Sequence, residues 1–381
     1  MAKKLRWFNA MCAIGWVMLS IGSAPVRAEN PPMDDPDAVK KLLETKLPIF
    51  QRDKMTPGEA TRLVASLANA NIYLDSGALE SAGYDLKEKN VFLSAQNITL
   101  ATTLDRLVKT ISTPKAPLIW QQEAGVIVIS TEADKNWRAI PIAADKNSKE
   151  PAFRDDRVID EFNFDDVALR DATSLLRDNN MNVYYHWAAL DTVGIDLHNR
   201  VDITLKRVRP RTAIQMLVRE MAGPQARVSF AVRDGVWIIS TPADLEKQTH
   251  AIDWRPQHIK DQATADKMAQ WVEDIGFNAT PLGDAFDTIS RTGEISMDID
   301  WPSLAKAKID RTTPVSLNVR HVKLSTVIDL VLCEAGGVDN ELDYTGKDTT
   351  ITVTLKPPPA TKPTTKPAMK VIKRTVVVPA K

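Results

Sequence analysis

Gly125-Val126-Ile127-Val128-Ile129-Ser130-Thr131 returns 110 residues later as Gly235-Val236-Trp237-Ile238-Ile239-Ser240-Thr241. One residue further on, both runs continue as Ala-Asp, at Ala133-Asp134 and Ala243-Asp244. Seven of these ten positions are identical, and self-similarity at a fixed spacing marks a repeat architecture. Upstream, Leu79-Glu80-Ser81-Ala82-Gly83-Tyr84-Asp85 aligns with Leu190-Asp191-Thr192-Val193-Gly194-Ile195-Asp196.

A third copy follows the second by 114 residues. Val183-Tyr184-Tyr185-His186-Trp187 falls over Met297-Asp298-Ile299-Asp300-Trp301, and the alternating Val201-Ile203-Leu205 falls over Val315-Leu317-Val319. The middle copy shows what each unit builds. Phe162-Asn163-Phe164 is a short strand. Leu169, Ala172, Leu175 and Leu176 recur at helical spacing, and Asn179-Asn180 ends that helix. Val183 to Trp187 is aromatic and strand-prone. Val201, Ile203 and Leu205 alternate with polar residues, as in a half-buried strand. Pro210 opens a second helix, where its missing N–H costs nothing, and a hairpin turning at Asp234-Gly235 closes the unit. The expected fold is α+β: three tandem βαββαβ(β) modules, each with two helices packed on a small mixed sheet.

The spacing places module 1 at 46–137, a polar linker at 138–157 and module 2 at 158–244. A connector follows at 245–277, with a short helix over Ala265 to Ile275, and module 3 at 278–355. After Thr241, Ala251-Ile252-Asp253-Trp254 matches Ala139-Ile140-Pro141-Ile142 in position and reads as an extra strand or exit segment. Residues 1–28 have the three parts of a secretory signal: Lys3, Lys4 and Arg6, then the apolar run Trp7 to Ala24, then Val26-Arg27-Ala28. A retained anchor is the alternative, although the run is at the short end for a bilayer span. Either way the body is expected to be exported, to the periplasm or cell envelope. The tail 356–381 is rich in Pro and Lys and reads as an extended, mobile arm. Of 49 basic residues, four lie in 1–28 and seven in the tail, which has no acidic residue; the body keeps 38 against 49 acidic ones, a net charge of −11. That balance argues against nucleic acid as a partner.

The pattern over 162–221 resembles the short N-terminal domain shared by secretins and TonB-dependent receptors. The residues that carry it are Phe164-Asp165-Asp166-Val167, Leu169, Ala172, Leu175-Leu176, Asn182 to Tyr185, Leu190 and Asp196. It continues through Val201-Asp202-Ile203-Thr204-Leu205, Thr212-Ala213-Ile214 and Leu217-Val218. The other copies follow it less closely. The resemblance implies a non-catalytic periplasmic module that docks other envelope proteins, including an outer-membrane secretin-like assembly or a further copy of itself. Neither a barrel nor a receptor body accompanies the modules here, so an adaptor or scaffold is expected. An accessory subunit of a secretion or pilus machine is the narrower form, and an exported hydrolase or carbohydrate-binding protein the reading from another class.

The usual catalytic and phosphate-binding motifs, G-x-S-x-G, H-E-x-x-H, C-x-x-C, the P-loop and G-x-G-x-x-G, do not occur. No catalytic residue, cofactor or metal is therefore expected. The five histidines, at 186, 198, 250, 258 and 321, read as solvent-facing strand and linker residues. Cys333 falls in an apolar helical stripe and reads as a small buried residue. Asp298 and Asp300 share one strand face and read as solvated. The candidate binding residues are Tyr185 with the repeat-equivalent Trp187 and Trp301, which either cap the core or anchor a partner. Val376, Val377 and Val378 join them as a segment able to add to a sheet edge. The basic tail could also touch an anionic surface.

Overall fold

The computed structural model describes residues 35–135 except 88, together with 157–223, 228–251, 259–336 and 342–355. The signal segment, nearly all of the 138–157 linker and the tail with Val376 to Val378 lie outside this set. So do 139–142 and 252–258, the matched exit segments beyond Ala251. The three copies belong to one compact unit, Pro32–Lys381.

Copy one runs α1 (Pro36–Glu44), β1 (Phe50–Met55), α2 (Pro57–Ala68), β2 (Ile72–Leu74), α3 (Ser76–Ser81), β3 (Val91–Ala95), α4 (Leu100–Ile111), β4 (Leu118–Glu123) and β5 (Val126–Thr131). Copy two repeats this as β6 (Ile159–Ala168), α5 (Leu169–Asp178), β7 (Asn182–Tyr185), α6 (Trp187–Asp191), β8 (Arg200–Val208), α7 (Pro210–Ala222), β9 (Ser229–Arg233) and β10 (Val236–Ser240), followed by α8 (Pro242–Ala251). Copy three is α9 (Gln262–Met268), β11 (Trp271–Pro281), α10 (Leu282–Gly293), β12 (Ser296–Ile299), α11 (Trp301–Ala305), β13 (Pro314–Lys323), α12 (Leu324–Gly336), β14 (Leu342–Lys347) and β15 (Thr350–Leu355). Local chemistry sets the ends. Thr56 and Glu59 form a capping box ahead of α2, with Pro57 in its first turn, and Asn69 closes it in the left-handed conformation.

The backbone records the triplication independently of the side chains. Of nineteen described residues with left-handed φ, eighteen fall into six sets of three, one member per copy: Lys54, Asp166, Ala279; Asn69, Asn180, Glu294; Gly83, Gly194, Lys308; Asn97, Arg207, His321; Ala124, Asp234, Asp348; and Gly125, Gly235, Thr349. Non-glycine residues adopt this conformation at a cost. Its recurrence at matched positions shows that the turns and bulges are part of the fold.

Three expectations are corrected. Each copy has two sheets rather than one. Its first and third strands pair antiparallel (β1-β3, β6-β8, β11-β13), while the second pairs parallel with the last and the last antiparallel with the one before it (β2-β5-β4, β7-β10-β9, β12-β15-β14). The long helices pack on each other and touch both sheets. Secondly, a short helix (α3, α6, α11) follows each second strand, so Trp187 and Trp301 begin helices rather than end strands. Thirdly, the helix in the connector is shorter than expected and ends at Met268. Trp271–Pro281 is already the first strand of copy three, which therefore begins inside 245–277.

The cores interlock. The cluster of copy two takes in Tyr73, Val126 and Val128 from copy one. That of copy three takes in Tyr184, Ala231, Val236, Ile238 and Leu245 from copy two. The three-stranded sheets of copies one and two are thus covered on their own side by helices and on the other by the next copy.

Candidate functional site: a docking face used twice

Each junction joins the three-stranded sheet of one copy to the third strand and second long helix of the next. Asn71, just before β2, donates its amide to the Lys206 carbonyl at 2.9 Å and accepts from the Lys206 N–H at 2.8 Å. Asn182, 111 residues on, does the same to Arg320, donating at 2.7 Å and accepting at 2.9 Å. A side-chain amide thereby stands in for a strand partner. It bridges β2 to β8 and β7 to β13 through partly buried backbone groups.

A hydroxyl–carboxyl pair comes next. The Tyr73 hydroxyl donates to Glu220 Oε2, and the equivalent Tyr184 hydroxyl donates to Glu334 Oε2 at 2.8 Å. Burial holds Glu220 up at about 7 and raises Glu334 as well; both tyrosines are pushed well above their ordinary range, burial being the first cause. Thr212 donates to the Ala124 carbonyl at 3.3 Å, and its counterpart Thr326 donates to Asp234 at 3.2 Å.

The centre of the face carries charge, and here the junctions differ. Between copies one and two, the Arg219 guanidinium is 2% exposed. It donates from Nε to Asp75 at 2.9 Å and from Nη1 to Glu123 at 2.6 Å. Asp75 also accepts from Ser130 at 3.0 Å, and its other oxygen caps α3 by accepting from the Ala78 N–H at 3.1 Å. Between copies two and three, His186 occupies the position of Asp75 and Cys333 that of Arg219. The His186 ring is 1% exposed and donates from Nδ1 to Asp244 at 2.8 Å; Ser240 donates to the same carboxylate oxygen at 2.6 Å. Burial is the largest single influence and would lower the imidazole, but the bond to Asp244 and the Cys333 thiol beside the ring together outweigh it and hold the ring at about 10, so it is cationic at neutral pH. Arg233 replaces Glu123 and lies within electrostatic reach of Asp329, whose carboxyl burial pushes well up.

His186 was expected at the solvent-facing side of a strand; it is a junction residue instead. The Cys333 thiol is half-buried and lies within sulfur hydrogen-bond range of both ring nitrogens, 3.9 Å from each. Nδ1 is engaged by Asp244 and the ring is sealed from solvent. His198 lies on the loop before β8, His321 is exposed and stacks on Trp271 at 4.6 Å, and the side chains of His250 and His258 lie outside the described residues. No group of three or more His, Cys, Asp or Glu able to hold a metal occurs among the described residues.

Of the candidate binding residues, Tyr185 is 2% exposed and offers a partner nothing, because it points into the core of its own copy. Trp187 is half-buried and stacks on Tyr185 at 4.9 Å. Trp301 is half-buried between Phe286, 6.2 Å away, and the Arg311 guanidinium, 5.2 Å from its ring. Both cap cores. The docking residues themselves escaped the sequence reading, although aligning the three copies position by position would have exposed them: Asp75, His186 and Asp300 share one place, and Lys109, Arg219 and Cys333 another. No described helix is long and apolar enough to cross a membrane. Set against protein families, curated proteins and solved structures, the chain matches none.

Proposed function

We propose that this protein is a non-enzymatic protein-interaction scaffold of the bacterial cell envelope. The observation that carries this reading is the docking face. One sheet surface binds a neighbouring unit twice within the chain, and among the described residues it stands open on copy three. Buried polar clusters at each junction hold the copies in register, which suits a rigid support better than a catalyst needing access to its polar groups. The envelope address rests on the N-terminal signal pattern, and the kind of partner on the resemblance to secretin and TonB-receptor N-terminal domains.

Cross-linking in the native cells, followed by purification and mass spectrometry, tests it. Links from another envelope protein to the open face of copy three are expected, and recovery of a secretin-type assembly would narrow the role to that machinery. Turnover of a cell-wall or ester substrate by the purified chain, lost on His186→Gln, would overturn the non-enzymatic reading.

A further inference from the structure

Among the described residues, the face that docks the next copy is uncovered on copy three, and its chemistry has changed. Tyr73 and Tyr184 give way to Asp298; Asp75 and His186 to Asp300; Glu123 and Arg233 to Lys347. The apolar Val126/Val128 and Val236/Ile238 give way to Thr350 and Thr352. Asp298, Asp300 and Lys347 are all exposed. At the other end, copy one carries the counterpart of the docking helix, α4, which packs against α1 but among the described residues leaves one side exposed. Asp105, Arg106, Lys109 and Thr110 of α4 hold the positions of Gln215, Met216, Arg219 and Glu220, and all four are exposed.

The two end surfaces complement each other column by column. Asp75 receives Arg219 at the first junction; at the same two positions the ends offer Asp300 and Lys109. Asp300 is already oriented as Asp75 is, with one oxygen capping α11 by accepting from the Ser303 N–H at 3.1 Å. Arg233 faces Asp329 at the second junction, and the ends offer Lys347 and Asp105, the latter held by the Trp120 indole at 2.8 Å. Where both junctions set a tyrosine hydroxyl against a glutamate, the ends set Asp298 on the sheet against Thr110 on the helix, whose hydroxyl in the free chain donates to the Arg106 carbonyl at 2.8 Å and would turn to reach the carboxylate. We infer that a second copy of this chain docks head to tail, α4 of one molecule seating on the β12-β15-β14 face of another as α7 seats on copy one. Such a contact is heterologous and leaves both outer ends open, so it extends into short filaments. It lacks the apolar centre of the internal junctions and depends on exposed charges, so it is weak and salt-sensitive.

The inference rests on the docking-face reading but not on the envelope role. Sedimentation velocity of residues 29–381 tests it. At low salt the weight-average sedimentation coefficient is expected to rise with concentration, and near 1 M salt, where the Debye length is about 3 Å, the chain should be monomeric. Asp300→Asn, which keeps the capping oxygen and removes the charge, and Lys109→Ala should each weaken association about two- to fivefold. Lys347→Glu and Asp105→Lys should each weaken it alone, and an equimolar mixture of the two should restore it. A chain monomeric at low salt up to high concentration overturns the inference, as does association indifferent to these changes or unrestored by the mixture. Binding of an envelope partner to a monomeric chain would leave the proposed function standing while this inference fails.

Discussion

Replacing Arg219 by methionine isolates the charge at the first junction. The wild-type guanidinium sits between Asp75 and Glu123, whose side chains are each 7% exposed. Methionine fills a similar volume but leaves two buried carboxylates without their cation, and breaking a buried pair by removing one partner costs about 3–5 kcal/mol. The penalty is electrostatic, so a further result is expected. Adding Asp75→Asn and Glu123→Gln to Arg219→Met returns most of the loss, because a neutral polar cluster requires no counter-ion. Chemical denaturation of residues 29–381 at neutral pH, followed by tryptophan fluorescence, measures both, and Arg170→Met on the exposed face of α5 serves as control. A loss below about 1 kcal/mol, as for exposed pairs, would refute the reasoning. So would a loss that does not respond to neutralising the two acids.

The second junction should respond to pH with the sign set by His186. Its ring titrates at about 10 in the folded chain against 6.5 unfolded, so the native state holds the extra proton between those values. The stabilisation is present in full below pH 6.5 and is lost as the pH rises toward 10, by a few kcal/mol at most, since each tenfold change in proton affinity is worth about 1.4 kcal/mol. His186→Gln should flatten that dependence, and a ring found to titrate near 6.5 by NMR would contradict it. Asn71→Ala and Asn182→Ala should each cost about 1–3 kcal/mol by stranding a backbone pair. Because they act at separate junctions, the double variant should show the sum of the two losses in denaturant titrations.

The repeat was legible because cores and turns impose the same local demands on every copy: the Gly125 and Gly235 turns, the stripe along α7, the alternation along β8. The start of copy three was not, for a local reason. Met268, Val272 and Ile275 recur at helical spacing, and the register shift between Phe277 and Thr280, with Ala279 left-handed, interrupts the alternation that would reveal a strand. The docking residues were hidden for a different reason. Asp75, Arg219 and His186 are buried polar residues, and half-buried Glu334 joins them; each meets a residue of the copy alongside. Burial that depends on a unit more than 100 residues away leaves no periodicity near the residue it buries.

Chain direction gives the interlocked cores a further consequence. A ribosome or a translocation channel delivers copy one before copy two, and copy two before copy three. Tyr73, Val126 and Val128 must therefore wait for copy two, and Tyr184, Ala231, Val236, Ile238 and Leu245 for copy three, before their outer sides are covered. A chain cut short after residue 251 would expose that last apolar set on a ready-made sheet and would tend to clump. Copy three instead presents Asp298, Asp300, Thr350 and Thr352 on the equivalent face, which water can solvate where the apolar faces of copies one and two need a neighbour.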